Sequence, residues 1–548
     1  MQPHDAGEVA DRYVDGLARL DPGAARAIGS PAQDLWAPLG PGAVQARADL
    51  ARGTLADLAV LPPEQDAPGA RSHLARALTE RLGSDLALHD AGFTGGLVAP
   101  LASPAHMVMM GLESAAGSTD DEAVVSGLGE VPAALQAYAE RLAATSADGY
   151  TVPALQSRTL AGQLRRWADP ERDDRLGALL PGELDDPTRQ VLDRAREACR
   201  ELADWLEQEH APRGRAQDAV GEDLYRVTSG AFLGTQVDLP ETYAYGWSRL
   251  AELTQEAEAI AAELGCAGVA EAEALLDADE NGRVRVGPEL VGWVEGRMQR
   301  AHDLLDGTIF DVPGGHPCGA VLAAPGSGSI YYSPPDPAGT RGGRVVWSTP
   351  TGADTVPTWR EVSTVHHEGL PGHHLQHVVT ASIEGLHPWQ RHLCHIHGYA
   401  EGWAHYTEGR AHAWGLLQHP GERLGVVLAQ RWRAARIVID MGLHLGYPIP
   451  AGNGFTDATG WSIDVGVDVL TQAAGCDRET ATFEVVRYLG WPGQALAFST
   501  GARLWEEARH AALAGGRFTE RSFHEQALGL GPMGMAPLRR SLAEMSHA

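Results

Sequence analysis

The chain has 548 residues, with 72 acidic against 43 basic side chains and a formal net charge of -29. That balance argues against sequence-independent binding to nucleic-acid phosphates or to anionic membrane, both of which need basic patches. Every basic residue is Arg, and the five cysteines are scattered with no CxxC pair, so neither a disulfide framework nor a thiolate zinc site is expected.

The first residues, MQPHDAGEVADRYVDG, show no basic start followed by an apolar run. No later stretch offers about 20 consecutive apolar residues. The expected location is therefore the cytoplasm, without membrane contact. From residue 5 to about residue 300, apolar residues recur at helical spacing, as in LQAYAERLAAT and RQVLDRAREACRELADWLEQE. Clusters such as PLGPG, LLPGELDDP and APRGRA punctuate these amphipathic helices as connections. The run DADENG at 277–282 imitates the start of a calcium loop, but its twelfth position is Pro288, so it is read as a connection.

Between residues 310 and 350 the texture becomes rich in Gly and Pro, bounding two β-rich runs, SIYYS and GRVVWS. A small sheet is predicted there, with Tyr332 a candidate to line a cleft. Helical patterning resumes near Trp359 and continues to the end. The fold class predicted is mainly α, with an N-terminal helical lobe over residues 1–310 and a catalytic lobe over 311–548.

The run TVHHEGLPGHHLQ packs four histidines and one glutamate into residues 366–374. Zinc takes imidazole nitrogens at about 2.0–2.1 Å and needs two that converge. The usual source is His at i and i+4 of one helix with Glu at i+1 as base, and His367 and Glu368 supply the first half. Position i+4, however, is Pro371. In an unbroken helix His373 would lie about 9 Å along the axis from His367, and His374 about 10.5 Å. Pro371 and Gly372 are expected to force a bulge absorbing two residues, which pairs His373 with His367. A three-residue bulge would instead make His374 the ligand.

Downstream, GYAEGWAHYTE supplies Glu401 as third ligand, with His405 and Glu408 as candidates to orient a ligand from behind. One Zn²⁺ per chain is expected, ahead of iron or manganese. The fourth position would be left for water, with Glu368 accepting its proton. Two His and one carboxylate also describe an iron site for oxygen chemistry, but a Glu directly after the first His favours hydrolysis. In RWRAARIVIDMGLH, residues Arg433, Arg436, Asp440 and His444 share one helix face. His444 is the candidate to stabilise an oxyanion, and Arg436 to hold a substrate carboxylate, unless Arg436 and Asp440 form an ordinary surface pair.

The blocks HEGLPGHHLQ and EGWAHYTE resemble the bacterial family called domain of unknown function 885. YYSPPDPAGTRGGRVVWST, RAARIVIDMGLH, EVVRYLGWPGQALAF and FHEQALGLGPMGMAPL extend the resemblance over nearly the whole chain. That family is distantly similar to helical zinc peptidases, including thimet oligopeptidase, angiotensin-converting enzyme and carboxypeptidase Taq. The resemblance implies a gluzincin-like fold of two helical lobes around a deep cleft, with a small sheet beside the active-site helix and an edge strand, GRVVWS, holding extended substrate. It implies His373 as second ligand. It also implies Tyr488 as a phenol donor beside Arg487, with Gln494 close by. His405 departs from the family, which often has an apolar residue there, and many members carry an export signal.

The activity expected is zinc-dependent hydrolysis of short peptides or a small amide. The alternatives are a metal enzyme acting on a specialised metabolite, or a catalytically silent metal-containing binding protein. No oligomeric state is implied.

Overall fold

The computed structural model describes residues 5–61, 70–117, 120–314, 317–323, 330–335 and 341–547. Parts of the Gly- and Pro-rich block, including 336–340 of the YYSPPDPAGTRGG run, lie outside the described residues. Among those described, 22 α-helices and five short strands make the protein mainly helical, as the periodicity predicts. The punctuation read in the sequence works as caps. In the LLPGELDDP run, the Asp185 side chain accepts from the Thr188 amide, and Pro187 occupies the first turn of helix Asp186–Trp205.

Two large apolar cores result. One is built from residues between Leu39 and Leu206, on helices such as Asp121–Ala147 and Asp186–Trp205. The other joins N-terminal residues from Ala10 to Leu82 with residues from Tyr225 to Leu542. Between them lies a cavity of about 780 Å³, lined from both. A third, small core packs Val345 and Trp347 of the sheet against helix Pro288–Leu305 and against Val365 of helix Thr358–Glu368. The sheet is thereby fixed to the helix that carries His367.

That sheet has three strands in the order Gly319–Leu322, Arg344–Trp347, Tyr331–Ser333, the first pair parallel and the second antiparallel. GRVVWS is therefore the central strand, not the edge expected to hold substrate. The reason is visible in its side chains. Val345, Val346 and Trp347 are all buried, a continuous apolar run that needs cover on both faces. The edge nearest the histidines is Tyr331–Ser333, which brings the Tyr332 hydroxyl 3.0 Å from His374 Nδ1.

The helix bearing Glu401, His397–Arg410, crosses Ser499–Ala514 at glycines. A Cβ placed on Gly402 would sit 2.7 Å from the Gly501 carbonyl carbon. This contact sets the depth of Glu401 relative to the histidines. Gly402→Ala is expected to destabilise the protein by about 1–3 kcal/mol through overpacking. Gly162→Ala, at a helical position with nothing within 4 Å of an added Cβ, should instead stabilise it by about 0.5–1 kcal/mol. Denaturant titrations of the two variants compare them directly.

Candidate metal centre

Helix Thr358–Glu368 stops at Glu368, and a new helix, His373–Ser382, begins at His373. The expected two-residue bulge within one helix is corrected to a complete break over residues 369–372. Pro371 has no amide hydrogen to donate, and Gly372 passes so close to the preceding turn that a Cβ there would sit 1.9 Å from the His367 carbonyl oxygen. The break is held by hydrogen bonds. His366 Nδ1–H donates to the Leu370 carbonyl at 2.9 Å, and the Trp403 indole donates to the carbonyls of Pro371 at 3.1 Å and Gly372 at 3.3 Å. Trp403 lies on the helix that carries Glu401, so one side chain ties the break to the third candidate ligand.

The consequence is a convergent donor set. His367, His373 and Glu401 each present one ligand atom, all within 4.8 Å of one another. Glu401 Oε2 is 3.3 Å from His367 Nε2 and 3.6 Å from His373 Nε2. Donors at about 2.0–2.1 Å from a tetrahedral zinc are roughly 3.3 Å apart, so these separations fit such an ion. The rings of His367 and His373 meet nearly perpendicular, at 87°. The His367 side chain is 6% exposed whereas His373 and Glu401 keep 13% and 21%, so the set is open on one side. His374 turns to Tyr332 and lies outside this group.

Behind His367 sits Glu408. His367 Nδ1–H donates to Glu408 Oε1, and the Ser363 hydroxyl donates to Oε2 at 2.7 Å. This fixes the His367 tautomer with Nε2 facing Glu401, the arrangement in which a carboxylate orients a metal-binding imidazole. Burial disfavours charge on His367, but Glu408 and Glu401 outweigh it and hold its pKa up at about 10. Burial also opposes ionisation of Glu408, yet His367 pulls it well below the carboxylate range. His405 Nδ1 lies 3.6 Å from Glu408, and burial lowers its pKa. Glu368 follows His367 directly, and burial raises its carboxyl against the pull of His367 and His373.

The remaining candidates gather in a neighbouring network. Glu484 accepts from Arg436 at 3.1 Å, from Arg487 at 2.8 and 2.9 Å, and from the Tyr488 hydroxyl at 2.8 Å, while Arg487 also donates to Gln494 at 2.8 Å. Burial works against the Glu484 charge, but Arg436 and Arg487 hold it down to about 2. The phenol donor expected of Tyr488 is therefore corrected, because its hydroxyl proton is committed to Glu484. Arg436 is likewise paired, with Glu484 rather than Asp440, and it lies 4.7 Å over the Phe498 ring. Phe498 stacks on His367 at 6.0 Å. The sequence reading missed Glu484 and Phe498, although both stand in the EVVRYLGWPGQALAF block.

His444 is a core histidine, not an oxyanion donor. The Val220 amide donates to its Nδ1 at 3.3 Å, and its Nε2–H donates to the Tyr488 carbonyl at 3.1 Å, which leaves no free proton. Burial lowers its pKa to about 4. Asp440, fully buried, accepts from the Tyr225 hydroxyl at 2.5 Å and the Gly493 amide at 2.9 Å. Burial outweighs these bonds and pushes its pKa up to about 7.

The family described as bacterial protein of unknown function (DUF885) matches residues 22–542. No curated protein matches the sequence significantly. Among solved structures, a proposed lipoprotein of Colwellia psychrerythraea superposes with a TM-score of 0.80 at 16% identity, over 100% of both chains. A proposed lipoprotein of unknown function from Shewanella oneidensis gives 0.72 at 17%, over 98% of this chain and 100% of that one. Both likenesses concern the fold alone. A carboxypeptidase of Pyrococcus furiosus reaches only 0.35 at 12% identity, over 100% of this chain and 99% of that one, and carries no inference. No helix among the described residues is long and apolar enough to cross a membrane.

Two measurements follow from this geometry. Glu401→Ala should abolish stoichiometric zinc retention, and Glu408→Gln should weaken zinc affinity by about 10–100-fold, read by chelator competition. Asp440 binds its proton more tightly folded than unfolded, so the stability it confers is present below the unfolded pKa near 3.8 and is lost as pH rises toward 7. Melting temperatures of Asp440→Asn should accordingly gain on those of the native protein between pH 4.5 and 7.5.

Proposed function

The chain belongs to the bacterial family of unknown function DUF885, and on that premise we propose that it is a zinc-dependent hydrolase of the peptidase kind, cleaving an amide bond in short peptides or small amides. The observation that carries this reading is the convergence of His367, His373 and Glu401 on one point, open on one side, with Glu368 directly after the first histidine. A single divalent ion bound there would acidify a water and polarise the amide carbonyl. Glu368 would be the group to accept a proton from the attacking water and return it to the departing amine nitrogen, a role suited to a buried carboxyl whose pKa is raised. Glu408, fixed by Ser363, keeps the His367 ring from rotating.

Arg433 adds positive charge facing Glu408 and Glu401. It balances a site that holds three glutamates in close quarters. Tyr488 and Arg487 brace Glu484, and through Arg436 the Phe498 ring against His367, so their contribution is to positioning. The acidic chain favours no nucleic acid as partner. Its five cysteines are unpaired, which supports the cytoplasm as the proposed location.

The decisive test is Glu368→Gln in protein reconstituted with one zinc. Peptide-library cleavage followed by mass spectrometry should fall by about 10²–10⁴-fold relative to the native protein, with zinc content unchanged. Equal cleavage by the two proteins, or stoichiometric iron with oxygen-dependent turnover in the native protein, would remove the proposal.

A further inference from the structure

The cavity between the two large cores is not explained by the metal centre alone. Its volume of about 780 Å³ falls in the range of small-molecule sites, roughly 300–1,000 Å³. Much of its wall is apolar, with Trp36, Leu39 and Leu86 inside and Met107 and Met110 lining it while staying 52% and 55% exposed. Met107 and Met110 are three residues apart on helix Pro104–Gly117, so they form one open apolar strip beside the cavity's apolar interior.

The charges along the wall are uneven. Four arginines, Arg26, Arg47, Arg81 and Arg141, face two aspartates, Asp21 and Asp85. Arg47 pairs with Asp21 at 3.1 Å and Arg81 with Asp85 at 3.2 Å. Arg26 donates to the carbonyls of Asp34 and Leu35, and Arg141 to those of Thr94 and Gly95, and among the described residues neither has a carboxylate partner. A chain with a net charge of -29 thus keeps two guanidinium groups without a carboxylate partner among the described residues on this wall, Arg141 buried and Arg26 exposed. Charge of that sign in an apolar wall suits an anion attached to an apolar body.

The cavity also approaches the candidate metal centre. His395 and His397 line it. His397 begins the helix His397–Arg410, and Glu401 follows one turn later on the same face, about 6 Å along the axis. Both Glu401 and His373 act electrostatically on His395. A ligand seated in the cavity therefore lies between the arginines of the N-terminal half and His395 and His397, the lining residues nearest the candidate site, while His367, His373 and Glu401 are themselves outside the wall.

We propose that the cavity between the cores is the binding site for the non-reacting part of the substrate, and that this part is an apolar group carrying a carboxylate. The assignment rests on the hydrolase reading for the word substrate, but the binding site itself stands on the cavity and its charges. The test separates the two by using metal-stripped full-length protein, in which no hydrolysis occurs. Isothermal titration with 6-phenylhexanoate should show one site per chain, and 6-phenylhexylamine should bind at least ten times more weakly.

Met110→Glu, at an exposed position where folding is not at stake, should weaken 6-phenylhexanoate at least tenfold by placing a like charge at the mouth. Arg26→Gln, also exposed, should weaken it several-fold while leaving the amine unchanged. Equal binding of acid and amine, absence of binding to either, or binding insensitive to Met110→Glu overturns the proposal. Binding as expected in a protein whose Glu368→Gln variant cleaves peptides as well as the native chain would keep the site and discard the hydrolytic reading.

Discussion

The site depends first on a buried carboxylate. Glu408 is 1% exposed, and an ionised carboxyl at that depth persists only if its oxygens are fully engaged. Ser363 engages one and His367 Nδ1–H the other. That bond commits the imidazole to a single tautomer and aims Nε2 at Glu401, a second carboxylate of low pKa. His367 thus stands between two negative groups. Something positive must lie on its Nε2 side, either a proton or a metal ion. Protons satisfy the charge through separate contacts of His367 and His373 with Glu401, whereas one ion at the same point would be shared by all three. The arrangement of charge, independent of any motif, is therefore one that a single cation would satisfy.

A second constraint determines whether His373 can take part. The two histidines are six positions apart, a spacing that no α-helix brings together. The solution is to end the first helix at Glu368 and start the next at His373, using four residues to reverse the axial drift. Such a break exposes backbone carbonyls in a buried place, which must be satisfied. Trp403 supplies the donor for Pro371 and Gly372, and His366 does so for Leu370. Because Trp403 sits two residues after Glu401, satisfying the break also sets the third candidate ligand. The Gly402 contact with Gly501 then fixes how deeply that helix lies.

Much of this was legible in the residues. Helical periodicity gave the class of fold, because its signal is summed over many turns. His367, His373, Glu401 and Glu408 stood out because ligand chemistry restricts which side chains can serve. His444 was misread for a physical reason: a helix face carrying Arg433, Arg436, Asp440 and His444 can line a cleft or sink into a core, and spacing along one helix does not say which. The partners that bury it, the Tyr488 carbonyl and the Val220 amide, come from segments distant in sequence. The central position of GRVVWS could have been read, since VVW without alternation already indicates a strand covered on both faces. Glu484 and Phe498 lie in a block that resembles the family, but no local spacing marked their roles. Their importance arises from three-dimensional contacts with Arg436 and His367.

The network around Glu484 shows why so many charged side chains can be buried next to the candidate metal centre. Glu484 draws Arg436, Arg487 and the Tyr488 hydroxyl onto one carboxylate, so that the positive charges partly cancel before they reach the site. Arg436 then presents its guanidinium to the face of Phe498, where the ring quadrupole attracts it, and the opposite relation of Phe498 to His367 is a stack. Arginine suits this use, since its planar group stacks and donates at once, which an ammonium does not. Arg433, also near Phe498 at 5.7 Å, differs from Arg436 in having no ion pair among the described residues. Its charge answers Glu408 and Glu401, with a smaller influence from Glu484. Removing either glutamate would strand it, so the arginine and the ligand helix are bound to one another by charge balance as well as by packing.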